Sequence, residues 1–175
     1  DIERIVNLDR TMHQPDKQGA VIRPDRALGI KTLQIRMNPI WSPEKKVWQI
    51  WDCASEPPDL HAGGYFFSAY YESKDGLHWT KPNVGGDIEY RGSTDNNFVS
   101  VIMGGIRHRA ECIVRDNTDP DPNRRYKTLT PNVFNTGRGG YAVSPDGIHW
   151  TEISSPGINS ADEWNLTFDE QEHLF

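Results

Sequence analysis

At 175 residues, with 35% hydrophobic and 25% charged side chains, the chain has the composition of one ordinary globular domain in water. Its formal net charge of −6 lacks the basic surface that phosphate recognition needs, so nucleic acid is not an expected partner. No run approaches the roughly 20 apolar residues of a membrane-spanning helix; the longest candidate, Tyr65 to Tyr71, is only strand-sized.

Residues 1–30 read as an N-terminal arm, loop-like around "HQPDKQGAVIRP". Asp1 follows neither a methionine nor a charged-then-apolar leader. A removed signal peptide or a local numbering accounts for this, and a secreted or periplasmic location is the expectation. Beyond the arm, helical periodicity is scarce, while short aromatic and β-branched runs alternate with turn residues, a pattern that predicts an all-β fold. The predicted strands are 33–37, 47–52, 65–71, 77–80, 98–102, 111–115, 126–129, 140–143, 148–153 and 164–168. Breakers stand between them: "NPIWSPEKK", "SEPPDLHAGG", "DNTDPDPNRR" and "NTGRGG". Cys53 and Cys112 lack any paired zinc-ligand spacing and are expected as buried free thiols.

The strands repeat. "LQIRMNPIWSPEKKVWQIWD" followed by "GYFFSAYYESKDGLHWTKP" aligns in order with "ECIVRDNTDPDPNRRYKTL" and "GGYAVSPDGIHWTEI". Each unit is strand, polar turn, strand, loop, strand, Asp-Gly turn, strand. Two four-stranded antiparallel meanders are therefore expected, at about 31–82 and 98–153, with a third opening at 163 in "EWNLTFDEQEHLF". Stacked meanders of this kind are the blades of a β-propeller, and about two and a half blades do not close a ring, so the remainder of a longer propeller chain is an expected partner.

The sharpest repeated feature is "SKDGLHWT" (Ser73–Thr80) returning as "SPDGIHWT" (Ser144–Thr151). In Ser-x-Asp-Gly-x-x-Trp the Asp can accept backbone N–H groups inside the turn, and the Gly supplies the positive φ of a tight reversal. This is a folding device first, which leaves Asp75, Asp146, His78 and His149 as turn architecture. Asp116 and Asp169, at equivalent ends of two inner strands, read the same way.

With "GSTDNNFV" and "DPDPNRRYK" between its copies, this turn pattern resembles the glycoside-hydrolase type of five-bladed β-propeller. The similarity extends over roughly residues 33–175 to glycoside hydrolase families 32 and 43 and related bacterial proteins, and the turn itself is similar to the Asp-box of sialidases. The resemblance implies a funnel near the propeller axis, walled by acidic residues on successive inner strands, and cleavage of glycosidic bonds by a carboxyl pair, one protonated and one ionised. It implies no redox cofactor, and no metal-ligand pattern stands out. Carried onto this chain, the inner strands are about 31–37, 109–115 and 163–168, and the site carboxyls near their starts are Asp162 first, Glu111 second and Asp25 third. Glu163, His108, Arg109 and Trp164 are the expected carbohydrate contacts. Other readings stand beside these: Asp25 and Asp162 as turn caps, Glu111 as the ion-pair partner of Arg109 or Arg107, the His108, Arg107 and Arg109 cluster as surface charge, and Trp41, Trp48, Trp51 and Trp164 as blade core. The Asn-Asp-Pro-Asn-Gly stretch of family 32 is absent, and its Arg-Asp-Pro stretch is represented only by Arg115–Asn117. The implied function is a glycosidase acting on an unidentified carbohydrate; the alternative is a non-catalytic propeller that binds glycan or protein.

Overall fold

The computed structural model describes residues 6, 11–53, 67–86, 88–130, 140–154 and 165–175. The fold is all-β and antiparallel; the helical content of the described residues is confined to 3-10 turns, at Arg26–Leu28 and Pro122–Arg124. None of it is long and apolar enough to cross a membrane.

The first repeat is a meander of β1 (Ile40–Ser42), β2 (Val47–Asp52), β3 (Ser68–Ser73) and β4 (Trp79–Thr80), joined at the far edge of β3 by β5 (Phe98–Val99). A hairpin of β6 (Val101–Met103) and β7 (Ile106–His108) follows, turned by Gly104 and Gly105, both at positive φ as a two-residue hairpin loop requires. The second repeat is β8 (Glu111–Arg115), β9 (Tyr126–Thr130), β10 (Gly140–Ser144) and β11 (Thr151–Ile153), in that spatial order. Both repeats thus have the topology of a propeller blade.

Three expectations are corrected. Residues 33–37 form no ladder: the Gln34 N–H goes to the Asp52 carboxylate (2.7 Å), and its carbonyl accepts the single Cys53 N–H (3.0 Å) beyond the end of β2. The inner-strand ladder instead begins at β1, between Pro39 and Pro43, in a stretch read as a breaker; Ile40 pairs with Gln49 and Ser42 with Val47. The predicted strand 98–102 is divided: Phe98 pairs back to Ala69 in the first sheet, while Val101 opens the hairpin, so the second meander begins at Glu111 and not at 98.

The two Asp-Gly turns are the same object. Ser73 Oγ accepts the Gly76 N–H (2.9 Å) and Ser144 Oγ that of Gly147 (2.9 Å). Asp75 Oδ1 accepts from Leu77 and His78 (both 2.8 Å), as Asp146 Oδ1 does from Ile148 (2.8 Å) and His149 (2.9 Å). Trp79 and Trp150 donate their indole N–H groups to the carbonyls of Gly76 (2.9 Å) and Gly147 (3.1 Å). Each imidazole Nδ1 lies against its turn carboxylate, at 2.6 Å in the first turn and 2.8 Å in the second.

One cluster, with Ile30, Ile50, Phe67, Ala69, Tyr71 and Phe98, serves the first repeat alone and includes the end of the arm. A larger one, with Trp51, Tyr70, Val99, Val101, Ile113, Tyr126 and Ala142, lies between the two repeats. The second repeat's turn is built into that interface: Trp51 Nε1 donates to Gly147 O (2.8 Å), and Tyr126 Oη donates to Gln49 Oε1 (2.6 Å). Of the four tryptophans read as blade core, Trp51 is buried, Trp41 and Trp48 stand at the surface in an edge-to-face pair, centroids 5.4 Å apart, and Trp164 lies outside the described residues.

Candidate functional site

The inner stretches of three successive repeats converge. Residues 35–41, 112–115 and 165–168 line one open cavity of about 900 Å³, with Asn38, Asn117 and Asn165 giving it polar walls and Trp41 and Phe168 aromatic ones. The internal register is repeated at its turn end. Ser42, Asp116 and Asp169 occupy equivalent positions, each accepting a backbone N–H from its own turn: Lys45 to Ser42 Oγ (3.3 Å), Thr118 to Asp116 (2.8 Å) and Gln171 to Asp169 (2.9 Å). Burial alone would raise Asp116, but Lys127 and Thr118 pull it down to about 2. These aspartates are architecture in fact.

At the opposite end, where the inner stretches begin, lies a buried cluster of charge. Glu111 is paired with Arg109, and with Arg36 at 3.5 Å, its side chain closed off from solvent. Its orientation comes from a β-bulge: the β8–β9 register shifts between Glu111 and Val114, and Cys112 sits at φ +49°, a conformation that costs a non-glycine residue about 1 kcal/mol or more. The bulge turns Glu111, Cys112 and Ile113 all into the interior. A buried carboxylate beside two guanidiniums is tolerable because opposite charges offset each other's burial, and removing one member of such a buried pairing costs about 3–5 kcal/mol.

Arg36 belongs to this cluster, and Asp52 stands next to Cys53, whose thiol feels both guanidiniums; neither Arg36 nor Asp52 was singled out from sequence. Asp52 is fully buried at the end of β2; Oδ1 is held by Gln34 N–H, while Oδ2 has no hydrogen-bond partner among the described residues. Burial pushes its carboxyl up to about 6, against the pull of the Gln34 N–H. Tyr71 Oη, likewise buried and without a hydrogen-bond partner among the described residues, has its hydroxyl raised by burial and by the Asp52 and Asp25 carboxylates. Cys53, next in the chain, ties the two halves of the cluster together: burial pushes its thiol up to about 11, while Arg109 and Arg36 pull it down and Asp52 and Cys112 push it up. Both cysteines are buried free thiols, as expected. A legible signal existed for Asp52, an acidic residue closing an otherwise uncharged strand, but only burial distinguishes it from a turn aspartate.

The remaining predicted residues are dispersed. Asp25 caps the 3-10 turn after it through the Ala27 N–H (3.1 Å) and pairs with Lys81 (2.6 Å), which is the turn-cap reading. His108 is half-buried on β7, its imidazole lowered by burial with the Glu152 carboxylate opposing, and Arg107 donates to Ser100 Oγ (2.6 Å). Arg109 is committed to Glu111. Asp162, Glu163 and Trp164 lie outside the described residues.

What fold and site define together is an all-β, antiparallel repeat protein with an open cavity lined by its inner stretches and a buried carboxyl–guanidinium cluster. Beyond that class, comparison with protein-family models, with curated proteins and with solved structures finds no match.

Proposed function

We propose that the chain forms two blades and the opening of a third of a β-propeller of the glycoside-hydrolase type, which takes a carbohydrate along its axis and hydrolyses it with carboxyls at the inner-strand starts. The observation that carries this reading is the single cavity shared by the inner stretches of three consecutive repeats, walled by amide and aromatic side chains of the kinds that bind sugar hydroxyls and pyranose faces. Asp162 remains the first site carboxyl. Asp52, buried and raised to about 6, supports the protonated member of such a carboxyl pair, and Glu111 lies beside Cys112 of the cavity wall, although neither carboxyl lines the cavity itself.

A non-catalytic glycan- or protein-binding propeller is the second reading. It is favoured by one observation: the described carboxyls read from sequence are already paired, Glu111 with Arg36 and Arg109, and Asp25 with Lys81. Incubation of the native protein with a panel of plant and microbial oligosaccharides, scored for new reducing ends and by calorimetry, separates the two. Hydrolysis lowered about 100-fold or more in both Asp162→Asn and Asp52→Asn, with melting curves that remain cooperative, is the expected result. Binding without hydrolysis selects the second reading, and neither binding nor hydrolysis overturns both.

A further inference from the structure

The outer edge of the first sheet passes from one strand to another. β3 pairs with β4 at Glu72 and Ser73 and with β5 at Ser68 and Ala69. Between them Tyr70 is met by Asn97: the Tyr70 N–H donates to Asn97 O (2.9 Å), and Asn97 Nδ2 donates to Tyr70 O (2.8 Å). Over this break opens a second pocket, of about 340 Å³, whose lining includes Lys81, Asn83, Tyr90, Arg91, Asp95 and Asn97. It stands on the side of β3 away from β2 and β1 and shares no lining residue with the cavity of the inner stretches. Much of it is the stretch "GSTDNNFV", which has no part in the site described above.

The pocket is held in shape by bonds made within its own loop. Tyr90 and Ser93 exchange both backbone hydrogen bonds (2.9 and 3.1 Å) around Arg91 (φ +52°) and Gly92 (φ +78°), a two-residue turn with both central residues at positive φ. Asn96 Nδ2 donates to Ile88 O (2.7 Å), and its Oδ1 accepts the Phe98 N–H (3.0 Å). The cations are engaged as well: Lys81 by Asp25 (2.6 Å), and Arg91 by Ala27 O (2.8 Å) while its guanidinium lies over the Tyr90 ring.

Three polar groups are left over. Asn97 is only 5% exposed and is oriented through Nδ2, yet its Oδ1 accepts from no described residue and keeps access to the pocket. Asn83 spends Oδ1 on the Gly85 N–H (2.9 Å), and its Nδ2 donates to no described residue. The exposed Asp95 carboxylate makes no hydrogen bond or ion pair among the described residues. One donor and two acceptors therefore share a preformed pocket. A hydroxyl both donates and accepts, so a ligand carrying several hydroxyls on adjacent carbons matches this set, whereas a simple anion meets Asp95 and a simple cation meets Lys81 and Arg91.

We infer that this rim pocket is a second sugar-binding site, holding one unit of a glycan apart from the inner cavity. It goes beyond the reading above, since it requires no hydrolysis and its ligand is chosen by the pocket's own donors and acceptors.

Amide-resolved NMR of the isotope-labelled intact protein, titrated with glucose, galactose, mannose, xylose and N-acetylglucosamine, tests this through side-chain amides. The expected result is a saturable shift of the Asn83 and Asn97 side-chain signals with at least one sugar, its affinity lowered about tenfold or more in Asp95→Ala by loss of one charged acceptor. Because Asp95 is exposed, that variant should melt with the parent protein. The Asn38, Asn117 and Asn165 amides report on the inner cavity in the same spectra. Shifts confined to those three overturn the inference and leave the functional reading standing; shifts at Asn83 and Asn97 alone support the inference and count against that reading. Rim shifts that Asp95→Ala leaves undiminished, or that acetate or methylammonium produces and no sugar does, also overturn it. Silence at both sites sinks both.

Discussion

Asp52 carries the clearest single-residue consequence. Its carboxyl is raised from the ordinary 3.8 to about 6 by burial, so the folded protein holds a proton there that the unfolded chain has already lost. Native-state proton uptake between those values means that stability is highest below about pH 4 with respect to this group and falls as pH rises through 6, after which the penalty is complete. Asp52→Asn keeps the Oδ1 acceptor for Gln34 and removes the charge. It should therefore stabilise the protein by up to about 3 kcal/mol at pH 7.5 and have little effect at pH 4, as read by urea denaturation at the two pH values. Glu111 behaves oppositely. Glu111→Gln leaves Arg36 and Arg109 without their carboxylate and should cost about 3–5 kcal/mol at neutral pH, measured the same way. The burial of Asp52 was not legible in the chain, and the pairing of Glu111 with Arg109 was visible only as one of two readings.

At the scale of elements, two turns with one sequence have different energetic weight. Both Gly76 (φ +77°) and Gly147 (φ +79°) hold a conformation that a Cβ disfavours, so alanine at either costs about 1–2 kcal/mol from the backbone alone. At Gly147 the methyl group also displaces the buried Trp51 ring, which overpacking data put at a further ~1–3 kcal/mol. Denaturant titration of Gly76→Ala and Gly147→Ala should show the second clearly less stable, and equal losses would mean the Trp51 contact is immaterial. The identical hydrogen bonds inside the turns follow from local sequence, since Ser, Asp, Gly and Trp lie within seven residues of one another. The departures lie where nonlocal groups competed. Residues 33–37 have a strand's composition, yet Asp52 intercepts their Gln34 amide, and β1 forms between two prolines because β2 offers three paired positions there.

For the whole molecule, the core between repeats decides cooperativity. Trp51 and Tyr70 from the first repeat pack with Ile113, Tyr126 and Ala142 from the second, so neither repeat closes its apolar surface alone. The two should unfold in one transition. Trp51→Ala, which deletes the indole and its hydrogen bond to Gly147, should cost about 3–5 kcal/mol and separate that transition into two, detectable as a calorimetric enthalpy exceeding the van't Hoff value.

The amino-acid sequence by itself determined the all-β class, the meander topology of each repeat and the inner structure of the Asp-Gly turns, because these depend on residue alternation, turn residues and side chains only a few positions apart. Tertiary structure alone decided which aromatic residues are core, with Trp51 inside and Trp41 and Trp48 outside, since one strand carries both faces of a blade and only a neighbouring repeat determines which is covered. It also decided the chemistry of the carboxyls. Asp25, Asp52, Glu111 and Asp116 are alike as residues on a page, but Asp25 pairs with Lys81, Glu111 with two guanidiniums, burial raises Asp52 and Lys127 helps lower Asp116, and those surroundings arise from contacts between residues far apart in the chain.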